Sequence, residues 1–413
     1  MKLAVLADAH IGRAIPLSIG EYRRRAFSSA FSRAVDSIIG EGVDYVFICG
    51  DLFERRTLRP DLVQFVHDEL YRLASDSLEK HGKRVKIFVI RGNHDGRPQS
   101  DTLDYIKHPL ADYLIILDEE NSVYADDRLQ VLGLGYYDEI GRAFESIIKP
   151  SLRSLGRFTV LMLHGFVSGY HEVPPYSSSL TFNQLSETGL NLVLAGHYHK
   201  RCPPKRIGNG WMLTPGSLEM YDFAETPDKG FYIADYSTSD PSFKWVPLEP
   251  IHLMKQVNVE SHGPEKPTQF GSRIMGAVKE FSEELKRRSK PGYLRVYVKG
   301  MLSEGYPRDI PLEGLDEIKS ENPLLIWVDV DTLDLECPPV VSLYDLERVE
   351  APESFAAFGD FAEDVREMHS RVRDVLEEEA SIQTGLLTQS HRAPLINEWV
   401  KRFEARGFWG VDE

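Results

Sequence analysis

Asp8-x-His10, Gly50-Asp51, Gly92-Asn93-His94-Asp95, His164-Gly165 and Gly196-His197-x-His199 follow one another, in that order, through the first half of the chain. Nearly all their polar residues are metal-ligand types, and the donors are oxygen and nitrogen with no thiolate. Such a set suits manganese, iron, magnesium or zinc and does not decide among them. The chemistry it can support is phosphodiester hydrolysis. Two cations about 3.5–4 Å apart supply a nucleophile at neutral pH and cancel charge growing on phosphate oxygens. Ions that close must share a ligand, and Asp51, alone after Gly50, is the best candidate bridge. Asp8 and His10 are two apart in an extended segment and so point to one face, and His197 and His199 repeat that geometry. Asn93 offers a neutral oxygen and His164 a further nitrogen. His94 need not be a ligand. Beside the metals it could stabilise the scissile phosphate or protonate the leaving oxygen, with Asp95 to orient it.

The elements that must position these residues are legible as periodic patterns. Short apolar runs precede the motifs: LAVLA (3–7), YVFIC (45–49), VKIFVI (85–90), FTVLML (158–163) and LVLA (192–195), with LQVLGLG (129–135) as a further run. They are too short for free helices and rich in Val, Ile and Leu, so they read as interior strands. The spacing of Phe27, Ala30, Phe31, Ala34, Val35, Ile38 and Ile39 predicts a helix over 20–39, with Gly40 as its stop. Pro60 and the repeat of Leu62, Phe65, Val66, Leu70 and Leu73 predict a second over 60–80. Strand–helix alternation favours a layered α/β domain over residues 1–250. Its last strands, GWML, GFYIADY and FKWVPL, read as a meander on the sheet's edge.

Pro250, Gly263, Pro264 and Pro267 mark a break near 250–265. A smaller α+β unit follows to 335, with a helix around 268–288 and strands at 293–301 and 324–330. Glu336-Cys337-Pro338-Pro339 reads as a second linker, and the tail 336–413 is helical from about 353 to 379. There Phe355, Phe358, Phe361, Val365, Met368, Val372 and Val375 recur every three or four positions. That stripe is a docking face, either for the chain's own body or for another protein.

With 413 residues and 42% hydrophobic content, two or three globular domains are expected and long disorder is not. The opening MKLAVLADAH reads as no signal peptide, because Asp8 cuts the apolar run short. No stretch approaches the roughly 20 apolar residues of a membrane span. Cys49, Cys202 and Cys337 make neither a disulfide framework nor a zinc pattern, so a reducing cytoplasm is the expected setting. The formal net charge of −16 argues on its face against nucleic acid. Half of it, however, lies in residues 340–413, which carry 16 acidic and 8 basic side chains. Basic clusters directly follow two ligand motifs: Arg55-Arg56 with Arg59, and Lys200-Arg201 with Lys205-Arg206. These are the candidate phosphate contacts.

The motif order, through ADAHIG, ICGDLFE, IRGNHD, LMLHGF, AGHYHKR and TPGSLEMYDFAE, resembles the calcineurin-like metallophosphoesterase superfamily. Within it the pattern looks like the double-strand-break repair nuclease of SbcD or Meiotic Recombination Eleven type, strongly over residues 1–250 and in layout beyond. The resemblance implies an α/β fold: a layered β-sandwich flanked by helices, a small α+β capping domain for DNA and a helical C-terminal tail. It implies one metal on Asp8, His10, Asp51 and His199, a second on Asp51, Asn93, His164 and His197, and His94 as catalytic histidine. Manganese is the implied cofactor. The implied partners are DNA, a second copy of the chain and a coiled-coil, SMC-like ATPase gripped by the C-terminal helices, in the cytoplasm of a prokaryote. The resembled family usually has histidine where this chain has Glu54, a residue that assists exonucleolysis. A carboxylate there would repel phosphate unless a metal or Arg55 offsets it. A phosphatase or phosphodiesterase for small substrates is the alternative reading. It needs no capping domain or long tail, so the roughly 160 residues beyond 250 favour DNA. A complete ligand set disfavours a third reading, a non-catalytic scaffold.

Overall fold

The computed structural model describes residues 1–56, 59–96, 106, 110, 112–154, 157–337, 363–368, 370, 371, 397, 400 and 401. Met1–Glu336 form one compact unit and Cys337–Glu413 a second. In the first unit, β1 (Lys2–Leu6), β2 (Tyr45–Cys49), β3 (Lys86–Ile90) and β4 (Leu114–Leu117) pair in parallel. The helices α1 (Gly20–Glu41) and α2 (Pro60–His81) connect the first three. In the second sheet, β5 (Val123–Ala125) lies at one edge beside β6 (Leu129–Leu134), which is followed by β7 (Phe158–His164). A two-stranded ribbon, β8 (Phe166–Ser168) with β9 (Ser179–Thr181), intervenes before β10 (Leu192–Gly196) returns parallel to β7. β11 (Cys202–Ile207) and β12 (Gly210–Thr214) complete that sheet. β13 (Gly230–Asp235) and β14 (Ser242–Pro247) close the edge of the first sheet, β13 running antiparallel to β1.

Period-two alternation explains the layering. Leu3 and Val5 of β1 face the second sheet, in a core shared with Phe47, Phe88, Val131, Val160, Met162 and Leu194. Ala4 and Leu6 face the helices, packing with Phe31, Val35, Ile38, Val66 and Leu70. The outer face of the second sheet, Leu132, Leu161, Val193 and Met212, is covered by Ile140, Phe144, Ile148 and Leu185. Both faces of the central strands are therefore dry, while the edge strands β5, β11 and β14 meet solvent, and each fully buried Leu, Val, Ile or Phe contributes about 1.5–3 kcal/mol. The expected layered α/β fold is present.

Three local expectations are corrected. α1 runs through Gly40 and ends at Gly42, which adopts φ 63°, so the later glycine is the left-handed cap. GWML does not join an edge meander: β12 pairs in parallel with β10, inside the second sheet. Residues 250–265 are not a break in structure, because β15 (Leu253–Glu265) is a 13-residue strand. It lies at the edge of a parallel sheet with β16 (Gly292–Leu302) and β17 (Leu325–Glu336). Its register shifts between Glu260 and Pro264, where an edge strand tolerates a missing N–H. The helix α3 (Pro267–Arg288) covers this third sheet with Phe270, Ile274, Val278, Phe281 and Leu285.

Arg23, on α1, is fully buried. Its guanidinium donates to the carbonyls of Met220 (2.6 Å), Tyr221 (3.2 Å) and Ile15 (3.2 Å) and touches Met254 Sδ of β15 at 2.9 Å. No helix among the described residues is long and apolar enough to cross a membrane. Of the tail's stripe, Val365 and Met368 lie in a described helical stretch and are half-buried, while Phe355, Phe358, Phe361, Val372 and Val375 lie outside the described residues.

Candidate metal centre

All five motifs sit at or just beyond the C-terminal ends of parallel strands. Asp8 and His10 follow β1, Asp51 follows β2, Asn93 and His94 follow β3, His164 ends β7, and His197 and His199 follow β10. Two parallel sets stacked face to face thus deliver their ends to one rim. The backbone there is constrained. Asp8, His10, Asp51 and His197 all have φ between 45° and 79°, the left-handed region that non-glycine residues rarely occupy. Gly50 (φ 86°) and Gly196 are demanded by contact: a Cβ at Gly50 would lie 2.2 Å from His164 Nδ1, and one at Gly196 would lie 1.9 Å from the Cys49 carbonyl oxygen.

The side chains converge as two adjacent groups. In the first, His10 Nε2 and His199 Nε2 face each other at 3.1 Å, with Asp8 in the same cluster. In the second, Asn93 Oδ1 lies 3.2 Å from His164 Nε2 and 3.1 Å from His197 Nδ1. Asp51 stands between them: its Oδ2 is 3.8 Å from His10 Nε2 and 3.3 Å from His164 Nε2. Two imidazole nitrogens turned toward each other make a poor hydrogen bond and a good pair of ligands, and two more nitrogens converge on an amide oxygen that can itself be a ligand. The donor set fits two divalent cations sharing Asp51. When bound, such ions polarise phosphate oxygens and activate water. Asp8, His10, Asp51 and His164 are buried, whereas Asn93 is exposed and His94, His197 and His199 are half-buried. That exposed side is where a substrate can enter. A cavity of about 660 Å³ opens there, lined by Arg56, Arg91, Asn93, Tyr136 and Asp118 among others.

Electrostatics agree with a site built for cations. Burial pushes the Asp8 carboxyl upward, and the surrounding imidazoles only partly offset it. Burial also opposes the charge on Asp51, but His164 and His10 outweigh it and hold Asp51 well below the usual range. His164 is the mirror case: burial pulls it down, and Asp51 and Asp8 raise it to about 9. Burial and the His164 charge push the half-buried His197 down to about 3.

His94 and Asp51 are joined through the backbone, the His94 N–H donating to Asp51 Oδ1 at 2.8 Å. His94 Nδ1 lies 2.9 Å from the Glu54 carbonyl oxygen, which leaves Nε2 for substrate. His94 also forms a possible ligand group with His10 and Asp51. Asp95 does not orient His94. Its carboxylate accepts from the N–H groups of Phe53 (2.8 Å), Gly92 (2.9 Å) and Leu52 (3.3 Å), clasping the Asp51 loop to the Asn93 loop. Burial and the nearby Asp51 charge raise it to about 7.

Glu54 also departs from expectation. Its side chain is 6% exposed and turns away from solvent, toward His10 Nδ1 (3.0 Å) and Arg13 Nη1 (2.7 Å). Burial opposes its charge, but His10 and Arg13 outweigh that, so its carboxyl stays below the usual range. Arg13, not Arg55, offsets it. Arg13 also stacks on Tyr221, whose ring lies 4.5 Å from His10 and 4.6 Å from His199. Glu225 makes a parallel contact, its Oε1 lying 2.9 Å from His199 Nδ1. Tyr221 and Glu225 fall within TPGSLEMYDFAE, a segment noticed for its resemblance, with no spacing rule to single them out.

The basic clusters divide. Arg55 and Arg56 are exposed beside the site, and Arg59 is paired with Asp61 at 2.5 Å. Lys200 is exposed, 3.5 Å from Glu172. Arg201 is engaged by Tyr232, Asp228 and the face of Trp245.

Residues 1–201 match the family described as calcineurin-like phosphoesterase. An uncharacterized metallophosphoesterase of Bacillus subtilis, YhaO, is 25% identical over 302 residues, covering 71% of this chain and 70% of that protein. A DNA double-strand break repair protein Mre11 from Archaeoglobus fulgidus is 24% identical over 311 residues, 71% of this chain and 67% of that protein. Among solved structures, a dimetal phosphatase from Danio rerio has a TM-score of 0.38 at 15% identity, covering 60% of this chain and 99% of that one; at that distance it adds nothing to the assignment. The first 201 residues thus resemble the calcineurin-like phosphoesterases, and the donors of that stretch converge at the strand ends.

Proposed function

We propose that this chain is a manganese-dependent DNA nuclease, with endo- and exonuclease activity at DNA ends, serving double-strand-break repair. The observation that carries the reading is the extent of the Mre11 similarity. It spans 71% of the chain, well past the 201 residues that hold the ion ligands. That similarity therefore extends beyond the residues that match the phosphoesterase family, which supports the reading. On this reading the roles are as follows. Asp8, His10, Asp51 and His199 would hold one ion, and Asp51, Asn93, His164 and His197 the other. His94 Nε2 would contact the scissile phosphate or protonate its leaving oxygen. Exposed Arg55 and Arg56 would meet flanking phosphates. The residues from 251 to 335 would serve as a cap against DNA. The tail, with Phe355, Phe358, Phe361, Val365, Met368 and Val372, would bind a coiled-coil ATPase, and the chain would act as a homodimer in a prokaryotic cytoplasm.

The test is an assay panel of single- and double-stranded DNA against nitrophenyl phosphate esters, with manganese and with chelator. DNA cleavage that needs manganese is expected. Ester hydrolysis without any DNA cleavage would move the assignment to a small-substrate phosphoesterase. Deleting residues 350–413 should abolish ATPase binding and spare the nuclease. A complex retained on gel filtration would remove the tail from the partner interface.

A further inference from the structure

Neither Glu54 nor Glu225 belongs to a ligand group, yet each lies behind a ligand histidine. The two contacts have the same construction. His10 Nδ1 is 3.0 Å from Glu54 Oε2, and Glu54 Oε1 accepts from Arg13 Nη1 at 2.7 Å. His199 Nδ1 is 2.9 Å from Glu225 Oε1, and Glu225 Oε2 accepts from Lys229 Nζ and the Tyr221 N–H, each at 2.7 Å. Both supporting cations are buried, Arg13 at 5% and Lys229 at 3% exposure. Lys229 is further tied to Ser217 Oγ at 2.8 Å. The Glu54 contact lies off the line of a full hydrogen bond, but His10 Nδ1 and Glu54 Oε2 are buried and have no hydrogen-bond partner elsewhere among the described residues, the next nearest group to Oε2 being His94 Nδ1 at 4.0 Å.

We propose that Glu54 and Glu225 are positioning residues that fix the Nδ1–H tautomer of His10 and His199, so that both Nε2 lone pairs face a single cation. An ionised carboxylate can only accept, so the ring nitrogen beside it must carry the proton. The opposite nitrogen is then a bare donor. In this structure the two bare nitrogens are the pair that face each other at 3.1 Å. The second group is supported differently. His164 Nδ1 is backed by the neutral Cys49 carbonyl oxygen at 2.8 Å, and His197 presents Nδ1 itself to Asn93. A carboxylate behind the ring makes it the stronger ligand, and loss of such support typically weakens metal binding about 10–100-fold. The Asp8–His10–His199 position therefore takes the first cation and depends on the two glutamates, while the Asn93–His164–His197 position does not. This inference rests on the paired-ion reading of the site.

The test uses the full chain, with manganese alone as ligand, followed by calorimetry. Wild type should show two unequal binding steps. In E54Q and E225Q, the amide leaves an NH2 group facing one of the donors that each glutamate now satisfies. The tighter step should weaken about 10–100-fold, and the weaker step should stay within about twofold. Histidine 15N spectra of the metal-free protein should show His10 and His199 in the Nδ1–H form, in addition to the carbonyl-backed His94 and His164, with His10 leaving that form in E54Q and His199 in E225Q. Unchanged tight binding and unchanged tautomers in E54Q would overturn the proposal, and so would equal weakening of both steps. E54Q decides alone if E225Q fails to fold, since Glu225 also holds the Tyr221 backbone. Wild type that binds no manganese would instead sink the paired-ion reading itself.

Discussion

Lowering the pH from 7 to 4.5 should destabilise the ion-free protein through one buried ring, His171. It is 7% exposed and already satisfied as a neutral imidazole. Nδ1 accepts from the Val167 N–H at 3.0 Å, and Nε2 lies 2.8 Å from Thr214 Oγ1. A second proton would have to sit at Nδ1, against a donor. Burial pushes the pKa from 6.5 to about 4. The folded value thus lies below the unfolded one, so the unfolded chain takes up the proton first as pH falls. Stability is fully present above about 6.5 and is lost progressively toward 4. The whole shift corresponds to about 3 kcal/mol, of which about 2 kcal/mol is gone by pH 4.5. The assay is urea unfolding of chelator-treated wild type and His171→Asn at both pH values. Asn is chosen because its Oδ1 can stand in for Nδ1 toward Val167 and does not titrate. The metal-site histidines are common to both proteins and cancel in the difference. The wild-type advantage should shrink by about 2 kcal/mol at the lower pH. Parallel losses would refute the argument. The effect matters for the site because His171 stacks on Tyr198, between His197 and His199, with ring centroids 4.6 Å apart.

Asp51→Ala should lose both cations, since one carboxylate oxygen serves both groups; mass-spectrometric metal content retaining one tight ion would show that it does not bridge. His94→Ala should keep both ions yet lose DNA cleavage by about 100-fold or more, because its Nδ1 contact is to backbone; loss of metal would make it a ligand instead. Gly196→Ala should cost about 3 kcal/mol in urea unfolding, because the new Cβ meets the Cys49 carbonyl oxygen at 1.9 Å. A cost below about 1 kcal/mol would mean that β2 and β10 can separate there at little expense.

Much of this was legible in the chain because it is periodic. α1, α2 and the strands that carry the ligands follow from apolar spacing alone, and the ligands lie where those runs stop, whereas the edge strands β4, β5 and β11 were not read from the sequence. What was hidden depends on tertiary proximity. Glu54 reads as an exposed charge in a loop until His10 and Arg13 close around it. Glu225 and Lys229 are one helical turn apart in number but act as a clamp on His199 across a turn, which no spacing rule signals. Pro264 and Gly263 suggest a linker because their composition cannot report that β15 is an edge strand. The place of β12 was equally opaque: a short apolar run carries no information about which of two sheets it joins.

The left-handed backbone at Asp8, His10, Asp51 and His197 has a further consequence. Each such residue costs about 1 kcal/mol or more relative to glycine. A laboratory search for heat-tolerant variants, made without assaying catalysis, would therefore drift toward glycine at these four positions and return a sturdier, inert protein. The natural chain keeps two acids and two imidazoles there, so its ligand loops carry backbone strain.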